Sequence, residues 1–277
     1  MGADHHQHVK VPGGRIHTTR TGAGPDLVLL NAGSMDLRMW EPNLPTLTAR
    51  HRVTRYDDRG VGHHSSRATE PWSCTADLLA VLDAWGIPRA TLVGSSDGGR
   101  KALDFAVQHP DRVDRLVLVG CALHLPDPDP VERAAMDALL NALAPRSEAV
   151  ARGDLAAAIT ADLDVWAARA TPAQRAWLAR IYAGSPDFLL GHPAEPLEPA
   201  RPAITHLTEV QAPTLILVGE HDTPYTHRCA ARISAGVPDA RRRVVEGADH
   251  FINLTRPDLF HAHVLSPSPS TDRPLSA

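Results

Sequence analysis

The chain has 277 residues, 43% of them hydrophobic and 22% charged, with a formal net charge of −4 when His is neutral. That length can bury one α/β domain with an insertion, or two domains. The charge offers no general basic field for nucleic acid, no apolar run approaches the ~20 residues of a membrane span, and three separated cysteines, Cys74, Cys121 and Cys229, make neither a disulfide framework nor a zinc knuckle.

The polar start, Met1 to Lys10, has no signal-peptide core, so a cytoplasmic location is expected. His5, His6 and His8 read as a frayed, solvated terminus rather than a metal site. His8 to Val11 and Arg15 to Thr21 are short extended pieces around the turn Pro12-Gly13-Gly14. Leu27-Val28-Leu29-Leu30 reads as a buried strand running into the small-residue loop Asn31 to Asp36, and Trp40 to Arg50 as a helix. Arg52 to Asp57 is a strand that ends in a Gly-rich polar loop through Ser65. Thr75 to Trp85 has a helical period, with Thr75 available as its cap. A strand to Gly94 and a helix to Gln108 follow, then the strand Val113 to Gly120.

This alternation argues a mostly parallel sheet covered on both faces. From about Ala122 to Leu207 it breaks into Ala-rich helical stretches: Val131 to Leu143, Ser147 to Ala151, Asp154 to Arg169 and Pro172 to Ile181. It resumes with the strand Thr214 to Gly219, a helix near Thr226 to Ala235, a last strand Arg241 to Glu246 and a final helix after Pro257. Ser266 to Ala277 is Ser/Pro-rich and expected to be disordered. The predicted domains are therefore a core of residues 1–121 and 208–265, a helical insertion of residues 122–207 and a tail of residues 266–277.

Gly94-Ser95-Ser96-Asp97-Gly98 fits Gly-x-Ser-x-Gly, with the serine at Ser96. On a sharp strand-to-helix turn such a serine presents its hydroxyl above the sheet, and its flanking residues must be small because the backbones nearly touch. The N–H of Asp97 then faces a helix N-terminus, where developing negative charge is stabilised. Asp222 and His250 also fall just past strand ends, and in an open parallel sheet these ends line one crevice. Serine needs a base of near-neutral pKa, which imidazole supplies, and the imidazole needs a carboxylate to hold its tautomer. Glu220 is the alternative acid, while Asp249 is read as a loop residue. His221 and His227 are read as peripheral, and Cys121 as a small apolar residue at the site wall. The carboxylate of Asp97 is expected either to be solvated or hydrogen-bonded in the first helical turn, or to receive a cationic group such as the amine of an amino ester.

Leu27 to Ser34, Tyr56 to Gly62, Gly94 to Gly99, His109 to Val113, Pro213 to Asp222 and Gly247 to His250 together resemble the α/β-hydrolase fold family with a helical lid. The resemblance implies an α/β-hydrolase fold: a mostly parallel central sheet flanked by helices, with an inserted helical cap. It implies Ser96 as nucleophile, Asp222 as acid and His250 as base, with the backbone N–H groups of Gly33 and Asp97 as the oxyanion hole. Where the family usually has His-Gly in the oxyanion loop, this chain has Asn31-Ala32, and His64 stands where a serine is common. Trp166 and Trp177 read first as helix packing, and Trp166, with Ser34, is assigned to the substrate pocket. The expected chemistry is hydrolysis of an ester, lactone or related carbonyl in a small-molecule substrate through an acyl-enzyme, calling for no metal or cofactor and no nucleic-acid or membrane partner. Serine at the elbow argues against haloalkane dehalogenase and epoxide hydrolase chemistry. Carbon–carbon bond hydrolysis, perhydrolysis, a synthase or cyclase role, a non-hydrolytic binding protein, and the choice between monomer and dimer stay open.

Overall fold

The computed structural model describes residues 4–33, 35–62, 65–185, 194 and 196–266. Ser34, His64 and residues 267–277 of the expected tail lie outside the described residues. Eight strands form one sheet: β1 (His5–Val11), β2 (Gly14–Gly22), β3 (Asp26–Leu30), β4 (Arg52–Tyr56), β5 (Ala90–Ser95), β6 (Val113–Val119), β7 (Thr214–Gly219) and β8 (Ala240–Val245). Their order is β1-β2-β4-β3-β5-β6-β7-β8. Only β2 runs against its neighbours, β1 and β4, and the remaining pairs are parallel.

The chain moves outward from β3 to β4, then returns to lay β5 on the other side of β3. That reversal opens a crevice at the C-terminal ends of β3 and β5, where ligands bind in open α/β sheets. The apolar strand runs divide by alternation. Val28, Leu30, Leu92, Leu118 and Ile216 face one cluster, and Leu27, Leu29, Val93, Val119 and Leu217 face the other. A strand's period of two thus explains why these segments read as unbroken hydrophobic runs: both faces are covered. Helices α2 (Cys74–Ala84), α3 (Asp97–Gln108) and α7 (Pro224–Gly236) cover the first face. Trp40, Leu47 of α1 (Leu44–Leu47), Ile252 of α8 (Ile252–Thr255) and Phe260 of α9 (Pro257–Leu265) belong to the second. At the free edge, Arg241, Arg242 and Arg243 of β8 are exposed, and their charge discourages pairing with another sheet.

Between β6 and β7 come α4 (Pro130–Ala151), α5 (Leu155–Trp166) and α6 (Pro172–Ala183). Capping boxes begin two of them, Asp129 with Glu132 on α4 and Thr171 with Gln174 on α6. Ile159 and Leu163 of α5 and Leu178 and Ile181 of α6 join the second hydrophobic cluster, so these helices are seated on the core. No helix of the described residues is long and apolar enough to cross a membrane.

The structure corrects several sequence expectations. From His5 onward the terminus is a strand, not frayed chain, because it pairs residue for residue with β2 from His5↔Arg20 to Val11↔Gly14. A 3-10 helix, Leu37–Asn43, and the short α1 replace the helix expected over Trp40 to Arg50, since Pro42 and Pro45 each remove a backbone donor. Ser73, not Thr75, caps α2 by accepting from the Ala76 N–H at 3.2 Å, while the Thr75 hydroxyl donates to Gln108 Oε1 at 3.0 Å. The two stretches expected around residues 144–146 are one helix, α4, which carries Pro145 inside it.

Candidate active site

Strand β5 ends at Ser95 and α3 begins at Asp97. Between them Ser96 has φ 52° and ψ −116°, and it alone among described non-glycine residues has a positive φ. Such a conformation costs on the order of 1–3 kcal/mol and persists only where the surroundings enforce it. They do so here by close packing. A Cβ on Gly94 would lie 2.3 Å from Gly98 O, and one on Gly98 would lie 2.4 Å from Leu30 O. The Ser96 N–H donates to Val119 O at 2.8 Å, and Ser96 O accepts from the Gly99 N–H at 2.9 Å. Cys121 packs behind this turn, fully buried, and burial pushes its thiol well above the usual range. It is filler rather than a reactive group.

Asp222 lies in the turn after β7 and His250 in the loop after β8. His250 Nδ1 is 2.9 Å from Asp222 Oδ2 and 3.1 Å from Oδ1, with both side chains buried. Facing a carboxylate, Nδ1 carries the proton, which leaves Nε2 as the basic nitrogen. Burial alone would depress the imidazole pKa, but the charge of Asp222 and its hydrogen bond outweigh that and hold it above the ordinary value. Gly120, at φ +55°, makes room for the ring, since a Cβ there would sit 3.1 Å from Nδ1. Glu220 instead accepts from the Gly247 N–H at 2.9 Å. Asp249 turns away from the imidazole and accepts from Phe251 N–H, Thr255 Oγ1 and Arg169 N–H at 2.9–3.1 Å.

Ser96 and His250 line one cavity of about 260 Å³, together with Gly33 and Asp97. Asp222 sits behind His250, outside the lining. Asp97 is the first residue of α3, so its N–H is among those with no intrahelical partner. Its carboxylate is paired rather than merely solvated: Arg100 and Lys101 each lie 2.8 Å away, and Lys101 also reaches Asp58 at 2.9 Å. Burial opposes the charge, but the two cations prevail and hold the carboxyl far below its usual range. In the loop after β3, Asn31 is buried; its amide donates to Tyr56 O at 2.8 Å and accepts from Trp40 Nε1 at 2.9 Å. Gly33 is thereby carried on an anchored loop, although the residue pair preceding it departs from the family pattern.

A family model described as the alpha/beta hydrolase fold matches residues 25–257. The chain belongs to the α/β-hydrolase fold family. Among its relatives is a Caulobacter sp. (strain K31) protein named "Putative carbamate hydrolase RutD", 29% identical over 272 residues, 91% of this chain and 95% of the relative. Carboxylesterase YbfK of Bacillus subtilis is 28% identical over 91% of this chain and 84% of its own. Among solved structures, the enol-lactonase of Burkholderia xenovorans LB400 superposes with a TM-score of 0.74 at 26% identity, covering 93% of this chain and 98% of that one. Like these relatives, this α/β hydrolase is an enzyme.

Sequence reasoning missed part of the hydrolase's cavity wall. Trp166 was assigned to it, and its ring lies 4.4 Å from the His250 ring, centroid to centroid, at 43° between planes. Three polar neighbours from the insertion were not: Arg146, Asp162 and Tyr182 also line the cavity. The Tyr182 hydroxyl donates to Asp162 Oδ2 at 2.5 Å, and Arg146 Nε lies 3.2 Å from Asp162 Oδ1. Burial pushes the Asp162 carboxyl up, opposed by the Tyr182 hydroxyl and the Arg146 charge. The available signal is Asp162 itself, an acid buried in α5, the most apolar helix of the insertion.

Proposed function

We propose that this hydrolase cleaves a small ester, lactone or carbamate through an acyl-enzyme on Ser96. The carrying observation is the Asp222–His250 pair, 2.9 Å apart, opening onto the same cavity as Ser96 on its strained turn. His250 Nε2 takes the Ser96 proton as Oγ attacks the carbonyl carbon, and Asp222 stabilises the imidazolium that results. The Gly33 and Asp97 N–H groups hold the oxyanion, each donor being worth about 2.7–4 kcal/mol in the transition state. His250 next gives the proton to the leaving group, then activates a water that releases the acid and restores Ser96. Residues 122–207 act as a cap over this chemistry, with Trp166 forming one wall of the pocket. The cavity is smaller than the roughly 300–1,000 Å³ of drug-sized sites, which favours short substrates.

The test is hydrolysis of p-nitrophenyl acetate, butyrate and hexanoate by the wild type and by Ser96→Ala. Turnover that falls roughly ten-thousand-fold or more in the variant is expected. Equal rates in the two proteins would remove Ser96 from the reaction.

A further inference from the structure

In the cavity that Ser96 and His250 line, the insertion places a guanidinium in the wall. Arg146 is only a quarter exposed, at 25% of its side chain. Its Nε is buried and makes no aligned hydrogen bond. The Asp162 carboxylate 3.2 Å away is a Coulombic neighbour, with one oxygen already accepting from the Tyr182 hydroxyl at 2.5 Å. Among the described residues, no acceptor takes a hydrogen bond from the Arg146 guanidinium. The guanidinium therefore lines the same cavity as the candidate nucleophile, with a fork of five N–H donors that no described protein acceptor takes and only water reaches.

This arrangement has a direct energetic reading. A buried cation without a counter-charge is expensive, and Asp162 removes that cost. It does so without occupying the fork. A neutral ligand filling the cavity would strip water from these donors and leave them unpaired, whereas a carboxylate matches the fork in shape and charge. Asp97, the other carboxylate of the cavity, offers no competing demand, because Arg100 and Lys101 already neutralise it.

We propose that Arg146 is the specificity-determining residue for an anionic substrate: its guanidinium takes a carboxylate carried by a short-chain ester or lactone whose carbonyl lies at Ser96. This rests on the hydrolase reading above and narrows the substrate class to half-esters and carboxylate-bearing lactones of small dicarboxylic acids. Arg146 acts on recognition only and takes no part in bond making.

The experiment compares monoethyl succinate and monoethyl glutarate with the ethyl esters of succinamic and glutaramic acid, which have the same shape but no charge. Wild type, Arg146→Gln and Arg146→Lys are measured in a pH-stat. The wild type is expected to prefer the anionic member of a pair by about tenfold or more in kcat/KM, the scale of a hydrogen bond to a charged group. That ratio should fall to near one in Arg146→Gln and stand between in Arg146→Lys, which keeps the charge and loses the fork. A wild-type ratio near one overturns the proposal, as does a Gln variant that loses both members in equal proportion. Binding of glutarate to Ser96→Ala by calorimetry decides the matter apart from turnover. If no ester is hydrolysed but glutarate binds, and fails to bind when Arg146→Gln is added, the hydrolase reading falls and the carboxylate site stands. If neutral esters are hydrolysed and glutarate does not bind, the reverse holds.

Discussion

In the proposed mechanism, His250 is the residue at which the chemistry is most exposed to conditions. Only its neutral form accepts a proton, and Asp222 raises its pKa by stabilising the cation. The sign follows: at a given pH more of the imidazole is protonated than in an ordinary histidine. The acid limb of kcat/KM should accordingly fall above the usual value of about 6.5, with activity lost as pH drops through it. A pH–rate profile of the wild type checks this, and a limb at or below that value would contradict the raised pKa. Asp222 is legible in the sequence because it follows the apolar run of β7, and His250 because it follows the last predicted strand, and strand C-terminal ends meet at one crevice. The choice between Asp222 and Glu220 was a matter of two residues on one turn. It depends on which side chain points inward, and that is fixed by packing against Gly219 and the loop beyond β8 rather than by local pattern.

Among the elements, α3 carries the most consequence in the fewest residues. Its first two turns hold Asp97, Arg100, Lys101 and Asp104 in one network that reaches across to Asp58. Lys101 is buried at 7% exposure and has two carboxylates as partners. Replacing it with Met would take the ion pair from Asp58 and leave Asp97 with Arg100 alone. Breaking a buried pair costs about 3–5 kcal/mol, and because Asp58 and Asp97 are 20% and 30% exposed the loss should lie nearer 2–3 kcal/mol. A urea melt of Lys101→Met measures it, and adding Asp97→Asn should return a part of the loss. No recovery would mean that Lys101 acts through its alkyl packing alone. Amphipathic period predicted most helices well, yet it left the insertion's inward face unread. Arg146 follows Pro145, a helix breaker by propensity, so the local pattern marks a gap between two helices there. A charged residue on a surface helix also reads by default as solvent-facing. Only the docking of α4 and α5 against the core brings Arg146 and Asp162 into the cavity that Ser96 lines.

At the scale of the molecule, the insertion and the core are tied together at Asp249. Its carboxylate accepts from the Phe251 N–H and the Thr255 hydroxyl in the loop that bears His250, and from the Arg169 N–H between α5 and α6. Asp249→Ala should remove three hydrogen bonds and cost roughly 2–4 kcal/mol in a chemical melt. The same variant should speed amide exchange in both residues 167–171 and the loop after β8. Faster exchange in only one of them would show that the two move independently.

The tilted contact of the Trp166 ring with His250 joins the same two parts of the molecule by another route. An imidazolium quenches indole emission more strongly than a neutral imidazole does, so the enzyme carries an optical reporter of its proposed base. The part of the fluorescence lost in Trp166→Phe should titrate with the same midpoint as the acid limb of the rate profile. Lifting the insertion off the core would separate the rings and flatten that titration. One intrinsic signal would then read both the charge on His250 and whether the insertion is seated on the core, in real time and without a label.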